Sequence, residues 1–190
     1  MSSRSGWWRT PRRPTRSGRT SAAPTLGCVT NALSPRLAAI VDALPLRPES
    51  RVLEIGCGTG AAARTVAARL TTGHILAVDR SASAVAHAKA AAADLIASGR
   101  MSVRQVAAED LALAAGEEPY DLVFAVRVGA LDGRHPKAGE VALRRIASVS
   151  KEDARLFIDG GDPLRELLIP RDPPPHWYRP RHDQPRAPKR

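Results

Sequence analysis

Two kinds of run alternate along the middle of this chain. Short, nearly continuous apolar runs read as buried strands, and longer alanine-rich runs with one apolar stripe read as helices. Residues 51–55 (Arg-Val-Leu-Glu-Ile), 74–79 (His-Ile-Leu-Ala-Val-Asp), 120–126 and 154–158 predict four strands. The weaker alternation over 101–106 predicts a fifth between the second and third of these. Ser34-Pro35 opens a first helix, an N-cap residue followed by proline at the first helical position. Leu37, Ile40, Val41 and Leu44 form its apolar stripe, and Pro45 and Pro48 end it. Further helices are predicted over 61–70, 82–97 and 137–149, with two helical turns over 163–169.

Strands that alternate with helices are joined by crossovers, so the sheet is parallel. The expected fold class is α/β, a doubly wound parallel sheet of strand order 3-2-1-4-5. Its switch point lies between the first and fourth strands, where ligands bind at the carboxyl ends. Three parts are expected: a basic tail over 1–30, a domain over 31–169 and a Pro/Arg-rich tail over 170–190.

Charge supports this division. The chain carries a net +10, yet residues 36–170 hold 17 basic and 17 acidic side chains. The excess therefore sits in the ends, where residues 1–35 hold six arginines and no acid. Such arms could meet nucleic acid, but no nucleic-acid fold motif accompanies them, and solvated extension is the preferred reading. The run Arg12-Arg13-Pro14 lacks the apolar stretch of a secretion signal, and no transmembrane run is present. Cys28 and Cys57 are too few for a disulfide scaffold, so a reducing cytoplasm is expected.

The chemistry gathers at strand ends. Gly56, Gly58 and Gly60 follow the first strand on alternate positions and lead into a helix. A strand that turns through glycines into a helix lets bare backbone approach a ligand such as a nucleoside derivative. Glycines alone would also suit a dinucleotide. Glu54, two residues earlier, would repel a pyrophosphate and suits a cationic amino-acid ligand. Asp79 ends the second strand 19 residues after Gly60, close to the spacing at which a carboxylate reaches both hydroxyls of a ribose. It could instead cap the helix that begins near Ser81.

The string Val52-Leu-Glu-Ile-Gly-Cys-Gly-Thr-Gly60 resembles the first motif of class I S-adenosylmethionine-dependent methyltransferases, and the later segments follow in that family's order over about residues 30–165. The resemblance implies a Rossmann-like fold, S-adenosyl-L-methionine as cofactor and a small-molecule methyl acceptor. It implies cofactor contacts from Glu54, Gly56, Cys57, Gly58 and Gly60 in the first loop, and from Asp79 and Arg80 after the second strand. Ala108 and Glu109 correspond to the segment that borders the adenine ring, although Ala107 stands where the family most often has an aspartate. Ala125 lies near the end of the fourth strand, which in the family ends beside the transferable methyl.

Two features depart from the family pattern. Residues 125–130 (Ala-Val-Arg-Val-Gly-Ala) carry neither the Asn or Asp with prolines nor the histidine found there in several relatives. Arg127 is the charged side chain of that run, suited either to an ion pair or to an anion on the acceptor. Asp132 and His135 in the following turn are the catalytic candidates, since imidazole exchanges protons near neutral pH. His135 could equally border the next helix. The family also adds two strands after the fifth, which the seven prolines of 170–190 cannot supply. That leaves the fifth strand as an open edge, which a homodimer could cover.

Overall fold

Ser34 caps the first helix as the sequence predicts. Its hydroxyl accepts the Leu37 N–H at 3.4 Å and opens α1 (Pro35–Ala43). The computed structural model describes residues 33–171. The expected tails therefore lie outside the described residues, apart from Pro170 and Arg171. β1 (Arg51–Ile55), α2 (Ala61–Arg69) and β2 (His74–Asp79) follow. Then come α3 (Ala82–Ala91), α4 (Ala93–Ala97), β3 (Met101–Gln105) and a single 3-10 turn at Ala108–Asp110. β4 (Tyr120–Ala125), α5 (Pro136–Val149), β5 (Ser150–Asp159) and β6 (Leu164–Leu167) complete the order.

The sheet runs β3-β2-β1-β4-β5-β6, parallel throughout except for β6. β1 is central, pairing with β2 on one side and β4 on the other. Side chains along a strand point alternately to opposite faces, and both faces are covered. Val52, Ile75, Leu122 and Phe124 pack beneath α1, α2 and α3. Leu53, Ile55, Val78 and Val123 pack on the face closed by Ala142 and Ile146 of α5. Burial on both sides is why these strands read as unbroken apolar runs.

Three expectations are corrected. Residues 163–169 do not form helical turns. Leu164, Leu167 and Leu168 have helical spacing, but 164–167 pair antiparallel with β5, Leu156 opposite Leu167 and Asp159 opposite Leu164. The Arg155 guanidinium meets both Glu166 carboxylate oxygens across this pair, at 2.9 and 2.6 Å. The edge of β5 is thus covered from within the chain. The helix expected over 82–97 breaks at Ala92 (φ −116°, ψ 18°) into α3 and α4. β5 begins four residues earlier than expected, because Ser150 pairs with Tyr120 before a register shift. Among the described residues no helix is long and apolar enough to cross a membrane.

Candidate functional site

β1 delivers Gly56 to the carboxyl edge of the sheet, with backbone φ at +72°. A Cβ there would lie 2.6 Å from Val128 Cγ2, so the loop after β4 closes directly over the glycine. The loop's own N–H groups turn inward. Gly56 and Cys57 both donate to the Val78 carbonyl, at 2.8 and 3.0 Å. Gly58 donates to Asp79 Oδ2 at 2.9 Å, and Gly60 to the Cys57 carbonyl at 2.8 Å. All four donors are engaged within the protein, three of them by the end of β2, so what Gly56 offers a ligand is close backbone approach without a side chain. At Gly58 (φ +54°) no atom lies within 4 Å of a would-be Cβ.

Asp79 holds this corner together. Besides Gly58, it accepts the Ser81 N–H at 2.8 Å, while the Ser81 hydroxyl accepts the Ala84 N–H and caps α3. Asp79 therefore supports the helix start without itself being the cap.

Glu54 lies on the opposite face of β1 from Ile55, toward α2. It is buried, and its Oε2 has no hydrogen-bond partner. Burial pushes its carboxyl up to about 8; the Ala63 N–H opposes this, the nearby Asp79 charge adds to it, and Arg64 opposes it. No described cation forms an ion pair with either carboxylate. Burial likewise pushes the Cys57 thiol up to about 12, so it is no nucleophile at neutral pH.

A cleft of about 350 Å³ runs along this edge. Ile55, Gly56, Asp79 and Arg80 line one side, and Val106 to Glu109 the second. Arg127 to Ala130, Arg134, His135 and Ala138 line the third. Seven of the residues singled out in the sequence thus meet there: Gly56, Asp79, Arg80, Ala108, Glu109, Arg127 and His135. Glu54, Cys57, Gly58, Gly60, Ala125 and Asp132 do not line it. Glu54 and Ala125 are buried strand residues behind its wall, and Gly60 packs against Ala88.

The turn after β4 brings Arg134 into the site, which its place in the sequence did not suggest. Asp132 takes the Arg134 guanidinium on both oxygens, Nε–Oδ1 at 3.0 Å and Nη2–Oδ2 at 2.7 Å. Those bonds hold Asp132 below the usual carboxylate range. It is committed to a charge pair and is poorly suited to take a proton. His135 sits at the N-cap position of α5 without a side-chain capping bond, its ring against Gly129. Among the described residues no group of His, Cys, Asp and Glu is arranged to hold a metal ion.

A glycine loop after the central strand, an acid ending the next strand and a cleft at the switch point are the arrangement of a Rossmann-like fold. The chain belongs to the methyltransferase domain family, which matches residues 52–153. Among solved structures it is similar to YcgJ of Bacillus subtilis (24% identity, TM-score 0.52), over 65% of this chain and 49% of that one. It is similar to the 4+2 cyclase SpnF (25% identity, TM-score 0.54) over 64% and 42%. A third likeness is to coclaurine N-methyltransferase bound to N-methylheliamine and SAH (24% identity, TM-score 0.53), over 64% of this chain and 34% of that one. The chain thus spans between about a third and a half of these proteins' lengths. No curated protein matches it.

Proposed function

We propose that the protein binds S-adenosylmethionine at the β1–β2 edge and transfers its methyl group to a small molecule. The observation that carries this is the pair of carboxylates Glu54 and Asp79 at neighbouring strand ends, the first with an oxygen that no hydrogen bond reaches and neither joined to a described cation. A ligand with an ammonium at one end and a ribose at the other suits both. The ammonium would lie over the glycine loop, drawn by the Glu54 carboxylate behind the cleft wall, and the ribose hydroxyls would meet the remaining lone pairs of Asp79. Ala108 and Glu109, on the far wall of the cleft, would border the base. A dinucleotide fits less well, since a pyrophosphate against this loop would face both carboxylates and find four of the loop's N–H groups already engaged.

When bound, the cofactor would supply a sulfonium methyl to a nucleophile's lone pair, the carbon–sulfur electron pair going to sulfur. The chain's own part is alignment and exclusion of water. Gly56 and Val128 close one wall of the cleft. His135 stands where it could take the proton that an oxygen or nitrogen acceptor releases. Arg134, held by Asp132, keeps the turn in place.

Calorimetry tests the reading. S-adenosylmethionine and S-adenosylhomocysteine should bind, and NAD should not. Glu54→Gln should weaken binding at least tenfold in a folded protein. Tight NAD binding, or wild-type affinity in Glu54→Gln, would overturn it.

A further inference from the structure

Arg127 is built differently from the other arginines of the domain. Its backbone is left-handed (φ +58°), the single non-glycine residue of the described chain with positive φ. That conformation costs an L-residue about 1–2 kcal/mol, and at a site it signals a side chain that must be aimed. What holds it is Asp159 at the end of β5, whose Oδ1 accepts the Arg127 N–H at 2.8 Å. The other Asp159 oxygen takes the Arg36 guanidinium of α1 at 3.0 Å. Asp159 is largely sheltered, at 11% exposure, while Arg36 is 69% exposed. One carboxylate therefore brackets two arginines at the meeting of α1, β4 and β5.

Arg127 stands on a partition. It lines the main cleft, and it also lines a smaller cavity of about 100 Å³ walled by Ser34, Arg36, Leu37, Ile40 and Val126. That cavity is apolar along Leu37, Ile40 and Val126 and cationic at its rim. Arg36 is neutralised by Asp159 and Arg134 by Asp132, but no described carboxylate pairs with the Arg127 guanidinium. A planar guanidinium beside an apolar wall suits the carboxylate or phosphate of a small molecule, bound through paired hydrogen bonds.

We propose that Arg127 is a specificity-determining residue that binds an anionic group on the methyl acceptor, whose apolar part lies against Leu37, Ile40 and Val126. This rests on the methyl-transfer reading, which places the cofactor in the neighbouring cleft. The anion is an anchor. Pairing with a guanidinium draws electron density from it, so the atom that takes the methyl is another nucleophile of the same molecule.

The test uses the full chain saturated with S-adenosylhomocysteine and three probes: benzoate, phenyl phosphate and the uncharged benzamide. Binding is followed by protein NMR and calorimetry. One or both anions should bind, benzamide at least tenfold more weakly. Arg127→Gln, which keeps the backbone strain and loses the charge, should weaken the anions at least tenfold while S-adenosylhomocysteine affinity stays within twofold. Arg127→Lys should retain part of the anion binding. Equal binding of benzamide and benzoate, unaltered anion binding in Arg127→Gln, or no probe binding to the loaded wild type would overturn the proposal. Loss of S-adenosylhomocysteine affinity in Arg127→Gln would also overturn it, by assigning the guanidinium to the cofactor's own carboxylate. Failure of wild type to bind S-adenosylhomocysteine is a different result, and it refutes the transferase reading itself.

Discussion

The Asp79 carboxylate accepts the Gly58 N–H at 2.9 Å, which ties the end of β2 to the glycine loop of β1. Its second oxygen holds the Ser81 N–H at 2.8 Å. The residue expected to hold a ribose therefore also builds the loop that would hold the rest of the cofactor. Asp79→Ala should lower both affinity and stability, each by about 1.5–3 kcal/mol for the loss of hydrogen bonds to a charged group. Asp79→Asn keeps one acceptor oxygen and should recover part of the stability. Unchanged stability in Asp79→Ala, measured by denaturant titration, would show that the loop does not depend on this carboxylate.

Glu54 gives the ligand-free protein an unusual pH dependence. Its carboxyl is raised from 4.5 to about 8, so the folded chain keeps a proton that the unfolded chain has released. The contribution is fully present below about pH 4.5 and is lost as pH rises through about 8. Stability should fall over that window by, at most, roughly a few kcal/mol, and Glu54→Gln should flatten the slope. A cationic ligand favours the ionised carboxylate and expels the proton. Calorimetry in buffers of different ionisation enthalpy should therefore report proton release on binding near pH 7. Equal pH slopes in wild type and Glu54→Gln would remove Glu54 as the cause.

Gly56 and Gly58 both have positive φ but differ in surroundings. Gly56→Ala drives a Cβ to 2.6 Å from Val128 Cγ2, while Gly58→Ala meets nothing within 4 Å. The first should cost about 2–4 kcal/mol, from backbone strain and overpacking together. The second should cost about 1 kcal/mol, from strain alone. In a double-mutant cycle, Val128→Ala should couple favourably with Gly56→Ala and show no coupling with Gly58→Ala. Equal costs at the two glycines would mean that the loop after β4 does not rest on Gly56.

Much of this architecture is legible in the residues because β1, β2 and β4 are buried on both faces and leave unbroken apolar runs. The glycine loop and Asp79 are legible for a related reason: backbone turns and a strand-end acid leave residue-type signatures at fixed spacing. The misread segments are those where tertiary pairing decides. Leu164, Leu167 and Leu168 suit a helix on one face, yet the free edge of β5 draws 164–167 into the sheet. The alanines around Ala92 carry no stop signal, so the break between α3 and α4 leaves no trace in composition. Arg127 is legible as the lone charge of the run after β4, but its backbone is not, and Arg134 leaves no such mark. A left-handed arginine has no sequence signature, and Arg134 reaches the cleft only because Asp132 two residues earlier folds it back.

His135 remains the candidate for proton transfer, and its surroundings limit what its loss can do. Its backbone N–H donates to the Gly129 carbonyl at 3.0 Å, and its own carbonyl accepts the Gly139 N–H at 2.9 Å. Those bonds close the 129–135 turn onto α5 and survive removal of the ring. The ring packs over Gly129, where a Cβ would come within 2.8 Å of Cδ2, and it lines the cleft. Asp132, the other catalytic candidate, is occupied by Arg134 and offers no comparable group. His135→Ala should therefore leave cofactor affinity unchanged and lower turnover by at most about a hundredfold, the low end for a positioned general base. A thiolate or free amine needs no base, and with such an acceptor the loss should shrink toward nothing. Labelled methyl transfer at several pH values separates these cases, because a missing base flattens the rise of rate with pH. Abolished turnover with intact binding would mean that His135 does more than accept a proton. Lost cofactor affinity would mean that the 129–135 turn folds over the cofactor rather than the acceptor.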